Sequence, residues 1–151
     1  MPQFGGFTLL ELLVVVTIAG VIAAIAMPSF TQFIGNQRIK TASYDLSAAI
    51  IFSRSEAIKR NASVDMTPTS GGWKNGWTIA TGGTPLGSHI AFSNLAITDS
   101  ATLGSLSFTN DGRVAAKTDF TITLSTAVAG VADRCIKIST SGVPSSKKGS
   151  C

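Results

Sequence analysis

Hydrophobic and polar positions divide the chain into three stretches. Residues 7–27 read FTLLELLVVVTIAGVIAAIAM, apolar at nearly every position, with Glu11 as the sole charge. That is about the length a helix needs to cross a hydrocarbon core. Beyond Pro28 the apolar positions thin to a stripe: Ile39, Ala42, Leu46, Ala49, Ser53 and Ala57 recur at spacings of three and four. This is the period of an amphipathic helix reaching about Arg60. Arg38, Lys40, Asp45, Arg54, Glu56 and Lys59 fall mostly on other faces. Proline removes one backbone donor and crowds the preceding turn, so a kink or local melting is expected at Pro28. If continuous, the helix from Phe7 is about 80 Å long by its rise per residue.

After Asn61 the texture changes to Gly, Ser, Thr and short β-prone runs. Strands are expected at 63–67, 77–81, 90–92, 105–109, 120–124 and 135–139, forming an antiparallel sheet. In the last but one the alternation is clean, Phe120, Ile122 and Leu124 pointing one way and the threonines the other. Asn110-Asp111-Gly112 is a turn signal, and Gly71-Gly72, Gly82-Gly83 and 99–104 read as loops. The fold class is therefore α+β, a long N-terminal helix packed on a small β-rich head. Trp73 and Trp77 are expected in its core or at its rim.

Composition bounds this picture without changing it. With 151 residues, 44% hydrophobic and 13% charged, there is room for one domain plus a membrane segment. Twelve Lys and Arg against eight Asp and Glu give a surplus of four, ordinary for a soluble domain and modest for one built to bind an anion. Cys135 and Cys151 are the only cysteines, in a chain with an export-type apolar segment. An exported protein keeps disulfides, so a bridge between them is expected, two free thiols being the alternative.

The apolar run departs from a cleaved secretory signal. The segment MPQFGG before it carries no Lys or Arg, the run is long, and the paired glycines precede it rather than follow it. A segment that is kept fits better. Glu11 then needs a partner, because a carboxylate within an apolar span costs several kcal/mol unless paired, and nothing cationic lies within the run. Proteolysis between Gly6 and Phe7 would create a cationic α-amine able to sit against the Glu11 of a neighbouring subunit.

Gly6-Phe7-Thr8-Leu9-Leu10-Glu11 resembles the type IV prepilin signature. The resemblance implies that a prepilin peptidase cuts after Gly6 and that Phe7 becomes a methylated N-terminus. It also implies that Glu11 governs assembly with other pilins. The run Arg54-Ser55-Glu56-Ala57-Ile58-Lys59-Arg60-Asn61, then Gly76-Trp77, then Phe108 through Gly112-Arg113, is similar to the GspH and FimT family of minor pilins. The implied organisation is a leader at 1–6, a transmembrane and assembly helix at 7–28, an amphipathic helix at 29–61 and a head at 62–151. The implied setting is the bacterial inner membrane, with the head in the periplasm, followed by a pilus filament or its tip. A minor pseudopilin of a type II secretion system is the competing reading.

Enzymatic chemistry finds no support. A hydrolase triad needs a base, and the single histidine, His89, has no nucleophile-elbow serine near it. It reads as a strand-edge surface residue. No phosphate-binding glycine loop or zinc-spaced Cys/His pair appears, so no cofactor and no metal is expected. A zinc site from His89, Cys135 and Cys151 remains open to the sequence, although the two cysteines serve better as partners of each other.

One candidate binding site remains. Residues 134–151 carry Arg134, Lys137, Lys147 and Lys148 and no acid, and a Cys135–Cys151 bridge would present them as a closed loop. FimT-type pilins of transformable bacteria carry a Gly-Arg-x-Arg motif implicated in binding DNA. Here Gly142 is followed by Val143 and Pro144, and Ser145 stands in place of the second arginine. Lysines supply phosphate charge without arginine's bidentate fork. Non-specific double-stranded DNA is thus a candidate partner if the four cations line one face.

Overall fold

The computed structural model describes residues 6–100 and 104–151. The leader expected at 1–6 therefore lies, Gly6 apart, outside the described residues, as does the centre of the 99–104 loop.

One helix, α1 (Leu9–Arg60), runs for 52 residues, about 78 Å at the α-helical rise. Thr8 caps its start in an extended conformation, its hydroxyl accepting from the Glu11 amide at 3.2 Å. The far end is closed by Asn61 in the left-handed region, φ 50° and ψ 41°. The amides of Asn61 and Ala62 donate to the carbonyls of Ile58 and Ala57, each at 3.2 Å, the paired closure that terminates helices at a left-handed residue. The melting expected at Pro28 is absent, because residues on both sides stay helical. A missing donor costs one bond, and the turns before and after it keep theirs.

Two four-stranded antiparallel sheets form the head, rather than the single sheet expected. In the first, β1 (Val64–Pro68) sits between β2 (Trp77–Thr81) and β5 (Leu106–Phe108), with β3 (Thr84–His89) outside β2. In the second, β4 (Ala96–Asp99), β6 (Phe120–Ser125), β7 (Arg134–Ile138) and β8 (Pro144–Lys148) lie in chain order. The 90–92 strand does not form. The chain leaves the sheet at His89, and the Phe92 amide instead donates to the Lys74 carbonyl at 2.8 Å.

Three strands escaped the sequence reading, each for a physical reason. β3 contains Pro85 and Gly87, poor strand formers, and exists because Gly82 and Gly83, both at positive φ, close a two-residue hairpin. β4 is only four residues long. β8, Pro-Ser-Ser-Lys-Lys, has no apolar alternation and owes its place to pairing with β7.

The core lies between α1 and the sheets. Ile39, Ala42, Leu46, Ile50, Ser53 and Ala57 are buried on the helix, Ile50 taking the position expected for half-buried Ala49. Phe120, Ile122 and Leu124 point inward as the alternation indicated. Trp73 and Trp77 are fully buried, their rings 6.5 Å apart, and the Trp73 indole donates to Asp99 at 2.8 Å.

Candidate functional site: the anchor helix and the basic hairpin

The head covers only the distal part of α1. Every residue from Leu9 to Phe33 is exposed, and the apolar window within the helix has a mean hydropathy of 2.7, enough in length and composition to cross a membrane. Phe7 lies just outside the helix, 81% exposed. One turn further, Glu11 has its amide capped by Thr8, and its carboxylate makes no ion pair among the described residues. The first cation along the chain is Arg38, far up the helix.

Distal to Pro28, α1 also carries exposed apolar residues outside its buried stripe. Away from the buried stripe, Phe30, Phe33, Tyr44 and Ile51 remain exposed at intervals of three, eleven and seven residues, with polar Gln37, Lys40, Thr41 and Ser47 between them and Ser55 beyond.

Near its end the helix is stapled to two turns of the head. The Arg54 guanidinium donates through Nε to the carbonyls of Gly112, at 3.1 Å, and Ser141, at 3.2 Å. Gly142, at φ 78°, fits between them; a Cβ there would stand 2.3 Å from the Gly112 carbonyl oxygen. Asn110 donates to the Asn61 side chain at 2.9 Å. Arg60 and Lys59 pair with nearly buried Glu56 at 2.6 and 3.6 Å, and the Arg60 hydrogen bond chiefly holds that carboxyl below its usual range. The run from Arg54 to Asn61 and the Asn110–Arg113 turn, distant in sequence, thus meet in space.

β7 and β8 form the basic hairpin, closed by a Cys135–Cys151 disulfide. No free cysteine is left for zinc. The register separates the four candidate cations. Arg134 stands opposite Lys148 and Ile136 opposite Ser146, and directly opposed residues share a sheet face. Ile136 is buried, and Ser146 meets Ser43 of α1 at 3.0 Å, so this face looks toward the helix. Lys147, opposite Cys135, and Lys137, opposite Ser145, occupy the outer face. The single face assumed for the four is not formed.

Lys137 is also committed. Its ammonium lies 2.8 Å from Asp119, and with the Thr140 amide it holds that carboxyl below the usual range. On the inner face Arg134 and Lys148 line a cavity of about 210 Å³ with Asn36, Ile39, Lys40 and Ala132. Lys40 joins the cluster from a separate element. No pattern in the sequence pointed to it, because the register that brings it near depends on a strand without β signature.

His89 is more embedded than a strand-edge surface residue. Its ring stacks on Trp77 and Phe92, at 4.5 and 4.6 Å, and Nε2 lies 3.5 Å from Asp45 of α1.

A membrane-length anchor continuous with the wall of a small antiparallel head is the build of a pilin-type subunit, and the comparisons give the family. The pattern of the "Type II transport protein GspH" family matches residues 42–142, and that of the prokaryotic N-terminal methylation motif matches residues 1–27. The chain belongs to the GspH family. Among solved structures it is similar to the type IV minor pilin FimU of Pseudomonas aeruginosa, with a TM-score of 0.67 at 23% identity over 76% of this chain and 92% of that one. It also resembles the minor pseudopilin EpsH of the Vibrio cholerae type 2 secretion system, with a TM-score of 0.58 at 12% identity over 74% and 97%. At such identities the likeness is one of fold. A 47-residue stretch is 45% identical to the type IV major pilin protein PilA of Myxococcus xanthus, covering 31% of this chain and 21% of that protein. The chain therefore spans about a fifth of that relative's length.

Proposed function

We propose that this chain is a minor type IV pilin, cut between Gly6 and Phe7, methylated at Phe7, and held in the inner membrane with its head in the periplasm until it enters a pilus or its tip. The observation that carries the reading is the exposed apolar surface of α1. Every residue from Leu9 to Phe33 is exposed, and on the side of the helix away from the head Tyr44 and Ile51 are exposed as well. Lipid covers the first before assembly, and helices of neighbouring pilins cover both afterwards. Glu11 then pairs with the α-amine of an adjacent subunit, which fixes the axial step between them.

Glu11→Ala tests this reading. The variant inserts and is processed normally, since its apolar span only improves, yet it is depleted from sheared filaments relative to the membrane pool. Wild-type incorporation of the variant would contradict the role given to Glu11.

The pseudopilin reading is favoured by the family description and by the likeness to EpsH. Deletion of the gene separates the two, the loss of surface pili supporting the first reading and the loss of a secreted protein with pili intact supporting the second. Capture of duplex DNA is a further function to test. It would rest on one hairpin face, where Lys147 is the cation without a partner among the described residues.

A further inference from the structure

We propose that Lys40, Arg134 and Lys148 form a binding site for the phosphate of an anionic phospholipid headgroup, which seats the base of the head on the bilayer before assembly. The inference rests on membrane anchoring by α1 and assigns to the head a ligand of its own.

Three features point to a bound anion. The cavity holding Lys40, Arg134 and Lys148 is lined by no acidic residue, and none of the three makes an ion pair among the described residues. Arg134 and Lys148 are also direct cross-strand partners. Like charges so placed repel and weaken the ladder, and the disulfide from Cys135 to Cys151 keeps the strand ends from separating to relieve it. An anion between them removes the repulsion. The third feature is polarity. Asn36 and the basic groups surround a floor made by Ile39 and Ala132, so a phosphate has donors around it while its chain has an apolar surface to follow.

Position selects the source of the phosphate. Exposed Phe30 and Phe33 continue the apolar surface beyond the span, and aromatic residues favour the interface between hydrocarbon and headgroups. Lys40 lies seven residues beyond Phe33, about 10 Å along the helix, within reach of the headgroup layer for a side chain that extends back toward it. The contacts of Gly130 with Gln32, and of Val128 and Val131 with Gly35, place the loop before β7 at the same level. Lys147, on the opposite hairpin face, has no part in the site.

The test uses the full chain in detergent micelles doped with phosphatidylglycerol and phosphatidylcholine, and native mass spectrometry counts the lipids retained. Wild type should prefer phosphatidylglycerol by about tenfold, basic residues near anionic lipid each adding to the attraction. K40Q/R134Q/K148Q should lose the preference, K40Q alone should lower it, and K147Q should leave it intact. Near-ultraviolet circular dichroism of the buried tryptophans verifies the fold of each variant. Should the triple variant fail that check, K40Q, at an exposed helix position, carries the comparison. Equal retention of the two lipids by wild type, or an undiminished preference in K40Q, would overturn the proposal. So would displacement of the lipid by inorganic phosphate at equal concentration, or tighter binding of a short DNA duplex by the same three residues. Insertion is scored separately by flotation with phosphatidylcholine vesicles, so failure of the anchor and failure of the phosphate site give different results.

Discussion

The two halves of α1 are one continuous helix with opposite relations to the rest of the chain. From Leu9 to Phe33 every residue is exposed, whereas from Gly35 to Ala57 one face is buried against the head, chiefly under β1, β5, β6, β7 and β8. The proximal half therefore contributes to function without contributing to the stability of the head, and the distal half does both. Its inner face holds the fold while Tyr44 and Ile51 on its outer face stay exposed.

Paired truncations should expose the difference most strongly. Ile50→Ala empties a fully buried position and should cost about 2–5 kcal/mol, lowering the melting temperature of the head by roughly 10 °C or more. Ile25→Ala, at a position 73% exposed, should leave that temperature unchanged. Near-ultraviolet circular dichroism in detergent reports both, and an equal shift in the two variants would break the comparison.

The disulfide comes next. The bridge closes a sequence separation of 16 residues, which loop-closure arithmetic values at roughly 3 kcal/mol. Reduction, or Cys135→Ser with Cys151→Ser, should lower the melting temperature of the head by about 10–20 °C while leaving insertion and processing untouched. An unchanged transition would mean that the hairpin holds without its bridge.

Arg54 should matter less. Its two hydrogen bonds to the Gly112 and Ser141 carbonyls are partly open to solvent, and Arg54→Ala should cost about 1–3 kcal/mol, since charged donors are lost. Arg54→Lys should recover part of this, because an ammonium keeps the charge but not the fixed Nε–H that lies between the two carbonyls. The melting transition of each variant measures the difference, and a loss in Arg54→Ala no larger than in an exposed control would remove the staple from the account.

The anchor and the packed helix were legible in the sequence for one reason: their apolar periodicities extend over many turns. Ile39, Leu46 and Ala57 fall where the spacing put them, as do Phe120, Ile122 and Leu124 in β6. The head was only partly legible because β3 and β8 are set by turn geometry and pairing, through Gly82-Gly83 and the Cys135–Cys151 link, rather than by side-chain pattern. The same cause divided the basic residues. Arg134 and Lys148 face the helix while Lys137 and Lys147 face outward, and a shift of β8 by one residue would exchange Lys147 and Lys148.

The smallest effect is one of pH. The Asp119 carboxyl is held below its usual range chiefly by Lys137. A depressed folded value means that the pair stabilises the head above the ordinary carboxylate titration near about pH 4. The contribution fades as the pH falls through the folded value. Both groups are about half exposed, so the effect is small. Melting temperatures measured from neutral pH downward should fall less steeply for Lys137→Ala than for wild type in that acid window. Parallel curves would mean that Asp119 gains nothing from its partner.

The central claim, that the mature chain begins at Phe7 and keeps the exposed apolar half of α1, is tested most directly by the intact mass of the chain extracted from membranes that contain a prepilin peptidase. The expected mass is that of a chain starting at Phe7 and carrying one methyl group, and Gly6→Val should keep the leader attached. A chain starting downstream of Ala24, with the apolar segment removed, would contradict it.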